Sequence, residues 1–274
     1  MYQRILLALD LEGVNLVVGD PYSGLVRDCE QWEIARRQAV LEVNAAADAL
    51  FAAGARQVDL WDNHGQGHNV DAALIDPRVQ VLDEARKPRM QFAKGRYDCI
   101  CYFGYHTMEG TLGGVLAHTW SSKTVQYCKL NGRYVGEVDM DAYIAAAMGM
   151  PSCFFAAGDL ACAQAKRSLP NLVTVVTKQE LSRNEAVFRD NRELLCEIGE
   201  QIAEAVHRTH PITQLSYPAI FEKSYKRVED AAAFCARLRE LGLDAAHPAD
   251  EVLGHDAHTV TVTVHSMEEF LHCM

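Results

Sequence analysis

The sequence predicts an α/β fold: a mostly parallel sheet with helices on both faces, plus a smaller C-terminal α+β region. Three observations lead there. Short apolar runs of strand length alternate with longer, helically spaced segments. The first run is apolar throughout, as a strand covered on both faces requires. After Pro211 the texture shifts to a short α+β succession.

Residues 5–9, Ile-Leu-Leu-Ala-Leu, form the first expected strand. Trp32, Ile34, Ala35, Ala39, Leu41, Val43, Leu50 and Phe51 are spaced for a helix over residues 29–53, with Gly54 where a helix ends. Residues 57–61 and 98–103 read as the second and third strands. Within 125–138, two β-rich runs flank Asn131-Gly132, a strong hairpin signal. A helix is expected over 142–148, a strand over 153–156, a helix over 160–166, a strand over 172–176 and a helix over 185–207. Beyond these, residues 212–221, a helix over 229–241, a strand over 258–264 and a final short helix make the C-terminal part. A boundary near residue 208 divides a catalytic α/β domain, 1–207, from a smaller α+β domain, 208–274.

Composition narrows the function classes. Of 274 residues, 49% are apolar and 23% charged, enough to bury a sizeable core. A net charge of -11 disfavours nucleic acid and anionic membrane as partners. The nine cysteines are scattered, with no C-x-x-C spacing, and read as reduced, mostly buried thiols of a cytoplasmic protein. The five apolar residues before Asp10 are too short for a signal-peptide core, and no window approaches the ~18 apolar residues of a membrane span.

The chemistry-bearing residues share one position in the pattern. Asp10-Leu11-Glu12-Gly13 follows the first strand, Asp62-Asn63-His64 the second and Gly104-Tyr105-His106 the third. In open α/β sheets, catalytic groups gather at the carboxyl ends of strands. Asp10 and Glu12, two apart, face one side of an extended segment, and neighbouring carboxylates repel unless a cation or a shared proton intervenes. Oxygen and imidazole ligands suit Zn²⁺. The same residues would also serve as caps and hydrogen-bonded structural groups, so spacing alone leaves both readings open. His68 lies in a Gly65/Gly67 loop and does not share a helical face with His64. Asp62 and Asn63 read as groups that orient His64. Lys178 and Arg183 read as capping or substrate-contacting groups. His207, His210, His247, His255, His258, His265 and His272 read as surface or packing residues. No G-x-G-x-x-G between strand and helix and no G-x-S-x-G occurs.

Taken in order, Asp10-Leu11-Glu12-Gly13, Asp62-Asn63-His64, Gly104-Tyr105-His106, Gly114-Val115-Leu116-Ala117-His118, the hairpin Asn131-Gly132-Arg133-Tyr134-Val135-Gly136-Glu137, Ala157-Gly158-Asp159 and Val176-Thr177-Lys178-Gln179 resemble the DppA-type D-aminopeptidase family. The likeness runs from Met1 to about Arg183. It implies two Zn²⁺ per protomer, held by Asp10, Glu12, His64, His106 and Glu137, with Asp10 bridging. It implies a catalytic His118 outside the ligand set. It further implies hydrolysis of short peptides with an N-terminal D-residue, and a ring-shaped homodecamer. Glu137, at the end of a hairpin strand, would be rigidly aimed for its role. The segment Thr107–Gly113 departs from the family pattern by an acidic residue and one extra position. Two rivals stand beside this reading. One is a dinuclear hydrolase acting on a non-peptide amide or a phosphoester; the other is a peptide-binding protein without activity.

Overall fold

The computed structural model describes residues 1–83, 88–247 and 257–274, so His255 lies outside the described residues. Six strands form the main sheet: β1 (Arg4–Leu9), β2 (Gln57–Asp62), β3 (Gln80–Leu82), β4 (Cys99–Phe103), β7 (Ser152–Ala157) and β8 (Val173–Val176), in the order β3-β2-β1-β4-β7-β8. Every pairing in it is parallel. Strand order therefore reverses between β1 and β4. That is the topological switch point, where a crevice opens at the carboxyl ends.

Alternation along β1 shows why the sheet is covered twice. Ile5, Leu7 and Leu9 enter one core with Ala35, Ala39 and Val43 of α1 (Glu30–Ala52) and Ile198 and Ile202 of α4 (Asn191–His207). Leu6 and Ala8 enter the other core, with Ile144 of α2 (Glu137–Ala147) and Ala161 of α3 (Asp159–Ser168). Helix α1 starts where the Cys29 sulfur accepts the Trp32 amide, and it gives way at Gly54, φ +103°. The nine cysteines are free thiols; Cys196 is exposed and Cys29 half-buried, and the others are buried.

The second core continues into an antiparallel sheet. Strands β5 (Val125–Leu130) and β6 (Arg133–Tyr134) form the expected hairpin, with Asn131 and Gly132 both at positive φ. Strand β11 (Ala219–Tyr225) pairs with β5 on one side and with β13 (Thr259–Val264) on the other, and β12 (Asp244–Ala246) closes the edge. Helices α5 (Val228–Glu240) and α6 (Met267–Leu271) complete this layer. Residues after 208 thus share a sheet with the hairpin of residues 125–134.

Two expected elements change. The helix placed over residues 185–207 is a strand followed by a shorter helix. Strand β10 (Glu185–Phe188) pairs antiparallel with β9 (Lys178–Ser182), and α4 begins only after Asp190, whose carboxylate accepts the Glu193 amide at 3.0 Å. Val187 and Phe188 favour a strand, and Asp190-x-x-Glu193 is a helix-start signal that the apolar spacing obscured. The helix expected at residue 142 begins instead at Glu137, because Gly136 is its cap and Asp139 Oδ2 accepts the Gly136 amide at 2.8 Å. Glu137 is the first residue of a helix and not the end of a hairpin strand. Among the described residues no helix is long and apolar enough to cross a membrane.

Candidate metal centre

Registers of β1 with β2 and β4 place Leu9 beside both Asp62 and Phe103, so the three strands end level. The segments after them then meet at the switch point. Their approach is closer than side chains allow. A Cβ on Gly104 would lie 2.0 Å from the Asp10 carbonyl oxygen, and one on Gly13 would lie 1.9 Å from the Tyr105 carbonyl oxygen. In that contact Gly13 N–H donates to Gly104 at 2.7 Å, and Asp10 N–H donates to Phe103 at 2.8 Å. These two glycines are what let the β1 and β4 loops stack backbone on backbone.

The side chains converge above this seam. His64 Nδ1 is 3.0 Å from Asp10 Oδ1 and 3.1 Å from Glu12 Oε2. His106 Nε2 is 3.6 Å from Asp10 Oδ2 and 3.4 Å from Glu137 Oε1. Each Asp10 oxygen therefore faces a different imidazole. His118 stacks on His106, ring centres 3.8 Å apart, with its Nε2 4.0 Å from Glu137 Oε1. All six residues named from the sequence, Asp10, Glu12, His64, His106, His118 and Glu137, form one cluster. His68 stays outside it, exposed and 3.5 Å from Asp83. Asp62 accepts the Asn69 amide at 2.5 Å and ties down the loop that carries His64.

The donor set fits divalent metal. His106 presents Nδ1 to the Thr107 carbonyl at 2.9 Å, which orients the ring and aims its buried Nε2, which has no hydrogen-bond partner, between Asp10 and Glu137. Asp10, Glu12 and His106 offer ligand atoms within 4.8 Å of one another, and so do His106, His118 and Glu137. The charges agree. Burial, and then the neighbouring Glu12 charge, push Asp10 up to about 7. Burial opposes charge on His64 and His106, yet the carboxylates around them raise these imidazoles to about 11 and about 10. Against its own burial Glu137 is lowered to about 2, chiefly by His106. Three carboxylates in so small a volume draw positive charge to themselves. Burial, followed by the proximity of His106, lowers His118.

Other residues support the cluster; Lys178 and Arg183 were named from the sequence, while Arg89, Trp120 and Asp141 were not. Lys178, fully buried, donates its ammonium to the carbonyls of Glu12 (2.6 Å), Val14 (3.0 Å) and Val17 (2.6 Å), gripping the β1 loop from behind. Burial lowers it to about 8. Its role is structural, as is that of Arg183, which holds the Ala117 carbonyl at 3.0 Å just before His118. Arg89 grips Asp141, the Tyr105 hydroxyl donates to Asp141, and Trp120 N–H donates to Glu137. Asp141 could have been found once α2 is known to begin at Glu137, because four residues along a helix return to the same face.

The family model of the M55 peptidases, described as D-aminopeptidase, matches residues 3–274. The chain belongs to that family. It is 26% identical over 184 residues to the D-aminopeptidase of Bacillus subtilis (strain 168), an alignment that spans 66% of the chain and 65% of the relative. Among solved structures it is similar to the Zn-dependent D-aminopeptidase DppA from Bacillus subtilis, described as a self-compartmentalizing protease. The TM-score is 0.85 and the identity 20%, and the match covers 99% of this chain and 95% of the other. That likeness shows the fold: the mixed α/β arrangement described above, with a parallel six-stranded sheet, an antiparallel five-stranded sheet and the β9–β10 pair.

Proposed function

We propose that the chain is a zinc-dependent aminopeptidase acting on short peptides with an N-terminal D-residue. In this reading Asp10, Glu12, His64, His106 and Glu137 would hold two zinc ions. One observation carries it: five O and N donors, four of them buried and His64 half-buried, more than one tetrahedral zinc takes, converge at the switch point with the two Asp10 oxygens facing different histidines. When bound, zinc polarises the scissile carbonyl and acidifies water at near-neutral pH. The rest is done by the chain. The carboxylates fix the positions of charge, the backbone carbonyls of Thr107 and Leu116 orient the rings of His106 and His118, and His118 Nε2 stands ready to take or return a proton.

Room for substrate lies alongside. A cleft of about 940 Å³ is lined by Gly65, Arg89, Trp120, Met148, Lys223 and Leu271, among others. Gly65 follows His64, and Trp120 N–H is bonded to Glu137 Oε1 at 2.7 Å, so the cleft opens beside the donor cluster. Its volume suits a small peptide. The described assembly of the structural relative supports a homo-oligomer here, ten protomers by resemblance.

Elemental analysis of purified protein should give about two zinc per protomer. His64→Ala and His106→Ala should each lower that content, and His68→Ala should leave it unchanged. D-alanyl-p-nitroanilide should be hydrolysed faster than the L-isomer, with bis(p-nitrophenyl) phosphate inert. Activity that survives exhaustive chelation, or preference for the phosphodiester, would refute the reading.

A further inference from the structure

We propose that Arg89 is a positioning residue: one buried guanidinium that fixes three ligand-bearing segments relative to one another and thereby sets the geometry of the metal positions. The inference rests on the reading of Asp10, Glu12, His64, His106 and Glu137 as metal ligands.

The side chain of Arg89 is 13% exposed and that of Asp141 is fully buried. Arg89 grips Asp141 with both edges of its fork, Nε to Oδ1 and Nη2 to Oδ2 at 2.6 Å. Its remaining arm, Nη1, donates to Asn63 Oδ1 at 3.0 Å. Asn63 Nδ2 donates to the Tyr105 hydroxyl at 3.0 Å, and that hydroxyl donates to Asp141 Oδ2 at 2.7 Å, which closes a ring of four residues. Every partner is adjacent to a member of the cluster. Asn63 precedes His64, Tyr105 precedes His106, and Asp141 stands one helical turn beyond Glu137 on α2. The guanidinium also lies over two indoles, 5.1 Å from the Trp61 ring and 4.4 Å from the Trp120 ring. Trp120 in turn holds Glu137 Oε1 through its backbone N–H. One planar cation thus touches, directly or through a single residue, the strand end bearing His64, the strand end bearing His106 and the helix start bearing Glu137.

Arginine suits this place because its fork satisfies a carboxylate bidentately and still has a donor to spare; a lysine offers a point charge without that planar geometry. A buried ion pair is weak evidence of stabilisation, since apolar pairs of similar volume are often as stable. The arrangement is therefore read through its effect on the donors above it. Residues that orient metal ligands through hydrogen bonds change metal affinity by about 10–100-fold when lost.

The test compares the wild-type chain with Arg89→Lys, Tyr105→Phe and the apolar double variant Arg89→Met/Asp141→Leu. Zinc affinity is measured by chelator competition, alongside the thermal midpoint and separate kcat and KM values for a D-alanyl substrate. The double variant should fold with a midpoint near that of the wild type yet bind its weaker zinc ~10-fold or more less tightly. Its kcat should fall by a similar factor. Arg89→Lys should show the same loss in part. If the double variant folds and keeps wild-type zinc affinity and kcat, the pair serves only the fold and the proposal is overturned. Should the double variant fail to fold, Tyr105→Phe decides, since it removes one hydroxyl from the ring: weaker zinc binding supports the proposal and unchanged affinity overturns it. A wild-type chain that binds no zinc overturns the metal reading itself, a result visible before any variant is made.

Discussion

At the scale of single residues, His118 is the most informative position. Its Nδ1 is committed to the Leu116 carbonyl at 2.8 Å and its ring lies flat on His106, so only Nε2 is presented to the centre. The same nitrogen also satisfies the spacing of a ligand with His106 and Glu137. Metal content separates the two roles. If His118 transfers protons, His118→Ala should retain both zinc ions and lose ~10²-fold or more in turnover, the scale of a missing acid–base group. Loss of one zinc would make it a ligand. The residues of the cluster were legible in the sequence because each stands just after an apolar strand or within an ordered family segment. Arg89 and Asp141 were not, because what joins them is contact between distant segments, 52 positions apart, with no periodicity to announce it. Glu137 was named, but its setting was misjudged: without a Ser, Thr or Asp cap, the start at Gly136 looked like a continuing strand.

At the scale of elements, the apolar runs declared β1, β4 and β7, since strands buried on both faces have no polar alternation to confuse them, while β2 and β8 showed through their β-rich residues although Asp59 and Thr174 interrupt them. Strand β3, three residues long at the sheet edge, was too short to signal itself, and the β9–β10 hairpin was hidden by an apolar spacing that also suited a helix. Helix α1 carries a further testable feature. Glu42 is fully buried and accepts from the Asn15 amide at 2.9 Å and from Gln38 at 3.0 Å, while its Oε2 has no partner. Burial pushes this carboxyl from its ordinary 4.5 up to about 7. The folded state then holds a proton that the unfolded chain has already released. The contribution of Glu42 to stability is complete below pH 4.5 and is lost as pH rises through about 7. Denaturation of the wild type and of Glu42→Gln at pH 5 and pH 8 should show it. The variant should lack this loss, on the order of a few kcal/mol. Identical pH slopes in the two proteins would mean that Glu42 is charged in the folded state.

At the scale of the whole molecule, the β9–β10 hairpin turns Leu181, Val187 and Phe188 outward, with exposures of 46%, 53% and 41%. Three large apolar groups on one short hairpin suit contact with another copy of the chain. Light scattering at micromolar concentration should give a mass several times the protomer's 30.4 kDa, and Val187→Lys/Phe188→Lys should reduce it. A monomeric mass for the wild type would contradict the oligomer. The antiparallel sheet also has a consequence in time. Phe221 pairs with Leu130 and Tyr225 with Val125, so β5 and its principal neighbour are separated by about a hundred residues of chain. At the usual pace of synthesis the nascent hairpin waits ~5–20 s with one edge open before β11 emerges. In the parallel sheet β1 waits as long for β4, since Ile5 pairs with Cys99, but all its strands precede β11. The centre's strand ends can thus be in place on the ribosome while one wall of the neighbouring cleft is still untranslated.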